Sequence, residues 1–132
     1  MIDRRNNRIY LGSNLPSRDA RAPILRALAS IVCAHEEPRS YGEFLRQRVE
    51  ANYLAGAVLL PEQATIAALS EAKKQRQISM EDLRDAFGVS YEMAAHRFTN
   101  LATTHLDLEV HFMKVHESGP LVKAYENDGV RF

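Results

Sequence analysis

Apolar positions along the chain predict a run of helices followed by strands. Ile24, Leu28, Ile31, Val32 and His35 recur at the spacing of one helical face, which predicts a first helix from Ile24 that Pro38 ends. A second helix starts near Ser40, whose hydroxyl can cap the free N–H groups while Glu43 completes a capping box. From Val49 through Leu60 it is apolar nearly all round, as expected of a central helix packed on most sides. Pro61 breaks it and opens a third helix, with Ile66, Leu69 and Ala72 inward and Lys73, Lys74 and Arg76 at its C-terminal end. Ser79 opens a short helix that stops at Gly88, and Ser90 caps another running through Met93, Arg97 and Leu101.

After Thr103 the period changes to two. Leu106, Leu108, Val110 and Phe112 alternate with Asp107, Glu109 and His111, the pattern of a strand with one wet face. Glu117-Ser118-Gly119-Pro120 then forms the turn of a hairpin returning through Leu121 to Tyr125. Near the start, Arg8-Ile9-Tyr10-Leu11 is a short β-prone run, followed by a turn at Leu15-Pro16-Ser17. The expected class is α+β: a mainly helical body with a short N-terminal strand and a C-terminal β-hairpin.

Composition narrows the function. The chain has 132 residues, 45% of them hydrophobic, which suits one modest domain that builds its core without metal or disulfide staples. Cys33 is the only cysteine, so a disulfide framework, a Cys-based zinc site and an iron–sulfur cluster within one chain are not expected. It is read as a structural cysteine beside the buried face of the first helix. No apolar stretch approaches the roughly 20 residues of a membrane span, and a cytoplasmic protein with no membrane partner is expected. Formal charge is zero but uneven: residues 1–26 carry six arginines against Asp3 and Asp19. Such a basic end can face solvent or dock on an acidic partner.

Few residues suggest chemistry. His35-Glu36 begins like the zinc-binding H-E-x-x-H, but the second histidine position is Arg39, behind the helix breaker Pro38. His96, His105, His111 and His116 show no metal-ligand spacing, and no nucleophile elbow or glycine-rich phosphate loop is present. Residues 79–102 resemble a helix-turn-helix with Gly88 at the turn, and DNA reading by this element is the alternative function. Its second helix would then present Tyr91, Glu92, Ala95, His96, Thr99 and Asn100 to base edges. With Arg84 and Arg97 against Glu81, Asp82, Asp85 and Glu92, its charge has the wrong sign for phosphate, and a packed structural pair is the competing reading.

Glu50-Ala51-Asn52-Tyr53-Leu54-Ala55-Gly56-Ala57-Val58-Leu59-Leu60-Pro61 resembles the second-helix pattern of the ImmA/IrrE-type metallopeptidase domain. Phe87-Gly88-Val89-Ser90 and Arg97-Phe98-x-x-Leu101 follow in that family's order. Residues 95–101 and 110–116 are similar to the middle region of bacterial short-chain fatty-acyl transcriptional regulators, multidomain proteins with a separate N-terminal helix-turn-helix. The resemblance implies one peptidase-like domain over 1–132. Its parts are 9–61, carrying the two motif helices, 62–102, with the helix pair, and 105–132, the hairpin.

The resemblance also implies a degenerate zincin. The family's metal-binding pentad falls on Arg26-Ala27-Leu28-Ala29-Ser30, so both histidines and the general-base glutamate are replaced, and Glu50 is the remnant of the ligand set. No catalytic residue, metal or cofactor is therefore expected, and Arg26 is expected to pair with Glu50 across the two helices. A small acidic or acyl-CoA-type effector would meet Arg26, Glu50, Asn52 and Tyr53. The other expected partners are a second copy or further domains of the same regulator, with DNA contacted only through another domain.

Overall fold

A computed structural model describes residues 1–13 and 20–126; the turn expected at Leu15-Pro16-Ser17 lies outside them. The fold is α+β, and the chain divides into two units, Met1–Leu59 and Leu60–Phe132.

The first unit opens with a two-stranded antiparallel hairpin, β1 (Ile2–Asp3) against β2 (Arg8–Ile9), with Ile2 opposite Ile9. The expected strand is thus present but shorter, and its partner at Ile2 is too brief to leave an alternating pattern. Helix α1 spans Arg21–Val32, three residues earlier than the apolar spacing predicts, because Pro23 fits the first turn, where its missing N–H costs nothing. It also stops before Pro38. Ala34 turns left-handed (φ 52°), its N–H donates to the Ile31 carbonyl at 3.1 Å, and the His35 N–H donates to the Ser30 carbonyl at 2.9 Å. The chain therefore caps its own last turn, and His35 lies beyond the helix rather than on its face.

Helix α2 (Tyr41–Leu59) begins where the sequence places it. The Ser40 hydroxyl accepts from the Glu43 N–H at 3.1 Å, and the Glu43 carboxylate accepts from the Arg39 N–H at 2.7 Å, one residue earlier than a regular capping box. Its buried residues are Ala51, Ala55 and Gly56, whereas Val49 is 63% exposed and Tyr53 and Val58 more than half exposed. The expectation of a helix covered on most sides is corrected: among the described residues of its unit α1 is the main packing partner of α2, and it covers one face.

In the second unit, α3 (Glu62–Lys74) follows Pro61 and buries Thr65 and Leu69, one turn apart. Helix α4 (Met80–Phe87) is capped by Ser79, whose hydroxyl accepts from the Asp82 N–H at 3.2 Å, and closes on the left-handed Gly88. Helix α5 (Tyr91–Leu106) is capped by Ser90 through the Met93 N–H at 3.1 Å. Leu60, Leu69, Leu83, Ala94, Leu101, Ala102 and Leu106 are the apolar core. Arg97, only 3% exposed, donates from Nε to the Leu60 carbonyl at 3.0 Å.

Strand β3 (His111–Val115) pairs antiparallel with β4 (Leu121–Glu126), and Gly119 (φ 107°) supplies the left-handed residue of the turn. The alternation from Leu106 to Val110 is not strand: α5 continues to Leu106, and Asp107 (φ 51°) reverses the chain so that the Leu108 N–H donates to the Ala102 carbonyl at 3.2 Å. Leu106 is buried as the last core residue of the helix. Among the described residues no helix is long and apolar enough to cross a membrane.

Candidate functional site

The end of α1 and the middle of α2 bring together the most chemically capable group of side chains. The reversal at Ala34 swings His35 toward α2, where its Nε2 lies 2.7 Å from Glu50 Oε2. An ionised carboxylate only accepts, so the imidazole donates. Arg46, one turn before Glu50, donates to the other oxygen, Oε1, at 2.8 Å. These bonds, that from His35 first, hold the Glu50 carboxyl below the usual glutamate range. Glu50 therefore pairs with His35 and Arg46, and the expected Arg26–Glu50 pair does not form.

The loop carrying His35 is fixed from three directions. Arg4 donates to the His35 carbonyl at 3.3 Å, Gln47 to the Glu36 carbonyl at 2.9 Å, and the His35 N–H is held by Ser30. The His35 side chain is 7% exposed and opens with Cys33, Arg39, Glu43 and Arg46 onto a polar recess of about 330 Å³. Cys33 is exposed, not packed as a structural cysteine, because α1 has ended before it. One donor atom each from Cys33, His35 and Glu50 lie within 4.8 Å of one another. The sequence alone does not reveal this trio: His35 reads as a helix-face residue or as the start of H-E-x-x-H, and the C-x-H spacing acquires meaning only once the helix stops at Val32.

The residues expected at a zinc-binding helix face, Arg26, Ala27 and Ser30, do not have the chemistry to hold the metal. Zinc held from one helix face needs two imidazoles a turn apart. Arg26 and Ser30 occupy that face, both half-buried, and the Ser30 hydroxyl donates back to the Arg26 carbonyl at 3.2 Å. Ala27 offers no base. On α2, Glu50 and Tyr53 share a face, but Asn52 lies about 200° around the helix from Glu50, so these three do not converge.

The α4–α5 pair has the helix, left-handed glycine, helix order expected of it. Its proposed base-reading face is largely engaged. Thr99 is 3% exposed and bonds back to the Ala95 carbonyl, His96 lies against Phe112 of β3 with centroids 4.1 Å apart, and Glu92 pairs with Lys114 at 2.7 Å. His105 sits in the last turn of α5, 3.0 Å from Glu62.

Comparison with known proteins places this geometry in context. Residues 1–99 match the model of the IrrE N-terminal-like domain family. The chain is 32% identical over 83 residues to the propionyl-CoA carboxylase regulator of Cereibacter sphaeroides, a match covering 62% of this chain and 17% of that protein. It also resembles the solved structure of a Mycobacterium tuberculosis transcriptional regulator, with a TM-score of 0.66 and 24% identity, over 85% of this chain and 36% of the other. The chain thus spans about one sixth of the curated relative and about a third of the solved one.

Proposed function

This chain belongs to the IrrE N-terminal-like domain family, and from that premise we propose that it is a non-catalytic sensing or interaction domain of a transcriptional regulator. What carries the reading is that Arg26, Ala27 and Ser30 stand at the positions where the resemblance implies the family's metal-binding helix face. A cation where an imidazole belongs disfavours a divalent ion there, and no carboxylate remains on that face to activate water. The two relatives are both regulators by name, which supports the same reading from a different direction. DNA contact then belongs to another domain: the α5 face that would read bases is engaged with β3, and the helix pair carries net negative charge.

The ligand suited to the vacated face is a small anion of the acyl-CoA kind. Arg26 supplies a half-buried cation, and Tyr53 an exposed ring on the neighbouring helix. Calorimetric titration of the chain with short-chain acyl-CoAs, with free coenzyme A as reference, tests this. Saturable binding that weakens at least about tenfold in R26A, a loss of about 1.4 kcal/mol, is expected. Binding unaffected by R26A, or no binding at all, overturns the effector assignment.

A further inference from the structure

We propose that Cys33, His35 and Glu50 form a binding site for one borderline-soft divalent cation of the zinc class, distinct from the family's motif positions on α1. The donors are a sulfur, an imidazole nitrogen and a carboxylate oxygen, all within 4.8 Å of one another before any ion draws them in. Such a mixed set suits zinc or cobalt and not magnesium or calcium, which take oxygen ligands.

The existing hydrogen bonds prefigure the site. A tetrahedral ion about 2 Å from nitrogen and oxygen separates those two donors by about 3.3 Å. His35 Nε2 and Glu50 Oε2 stand at 2.7 Å, so the ion replaces the Nε2 proton, which leaves to solvent while Nδ1 carries the remaining ring proton, with a small opening of the pair. Arg46 already occupies Oε1, leaving Oε2 as a single-oxygen ligand oriented from outside, as ligating carboxylates usually are. The His35 backbone is held by Arg4 and Ser30, so much of the ordering is done before binding. Cys33 is exposed and needs only to give up its proton, after which thiolate and carboxylate together balance a dication. The fourth position faces the polar recess and takes water. Binding clasps the reversal after α1 to the middle of α2.

This goes beyond the regulatory reading and stands without it: Cys33 and His35 lie past the end of α1, Glu50 is the one residue shared with the set the resemblance implies, and binding is measured without any effector. The test is a cobalt(II) titration of the reduced, chelator-treated chain followed by absorption. Because Cys33 is the only cysteine, a thiolate-to-cobalt charge-transfer band can have only one origin in the chain. One ion per monomer is expected, with that band, tetrahedral visible bands, and displacement by zinc. C33S should abolish the charge-transfer band while leaving the circular dichroism unchanged, the position being exposed. E50Q should weaken binding at least about tenfold, and H116N, in the β3–β4 turn of the other unit, should bind as the parent does. Absence of the band, a band that survives C33S, or one ion shared by two chains overturns the proposal. Should E50Q fail to fold, the C33S comparison alone decides.

Discussion

Asp3 closes the N-terminal hairpin by accepting from the Arg5 and Asn6 N–H groups at 3.1 and 3.2 Å and from the Asn6 side chain at 2.8 Å. These bonds favour the ionised form and lower its pKa, the Asn6 side chain contributing most. The folded pKa lies below the unfolded one, so the contribution of Asp3 is present above the ordinary aspartate pKa and is lost as pH falls through the lower, folded value. The Arg5 and Asn6 amide resonances should therefore titrate at a pH below that of an unstructured aspartate, and D3N should abolish that titration. A midpoint at the ordinary value would contradict the geometry. At the same scale, Arg46, one turn before Glu50, is a partner readable from spacing, whereas His35 is not. The importance of Glu50 follows from the helix pattern it opens, but its pairing with His35 depends on where α1 ends, and that is set by Ala34.

Helix starts were legible because hydroxyls announce them: Ser40, Ser79 and Ser90 all accept from the amide three residues on. Glycine marks a helix end at Gly88, while Pro61 marks that of α2 and Lys73 and Lys74 that of α3. The other left-handed residues after helices are Ala34, Arg76 and Asp107, types that carry no stop signal, so α1 and α5 were misjudged at their C-termini. Gly56 poses the opposite case, a glycine inside α2 with no structural demand for one. A Cβ built there meets nothing within 4 Å. Removing glycine's excess freedom in the unfolded chain should stabilise the protein by about 0.5–1 kcal/mol in G56A, seen as a higher urea midpoint at unchanged slope. A lower midpoint would mean that the position is crowded.

At the level of the whole chain, the α+β class and family relationship were readable because they rest on the order of many pieces, each only moderately specific. The Glu50–Pro61 helix, the Gly88 turn and the final hairpin appear in the expected succession. The metal-capable trio was not readable, because it joins residues 15 to 17 positions apart through a chain reversal with no sequence mark. The chain belongs to the IrrE N-terminal-like domain family, and under the proposed reading Arg26, Ala27 and Ser30 stand where that family would place its hydrolytic groups. On that reading a cation at Cys33, His35 and Glu50 is expected to be structural, since Glu50 would serve as a ligand and Ala27 offers no base.

Hydrolysis itself is the most direct measurement of that claim. The purified chain, supplied with one equivalent of zinc, should leave a degenerate peptide library intact by mass spectrometry over a long incubation, at the same background as the R26A and A27S variants. Cleavage above background that is lost in E50Q would contradict the account and return the chain to the peptidases.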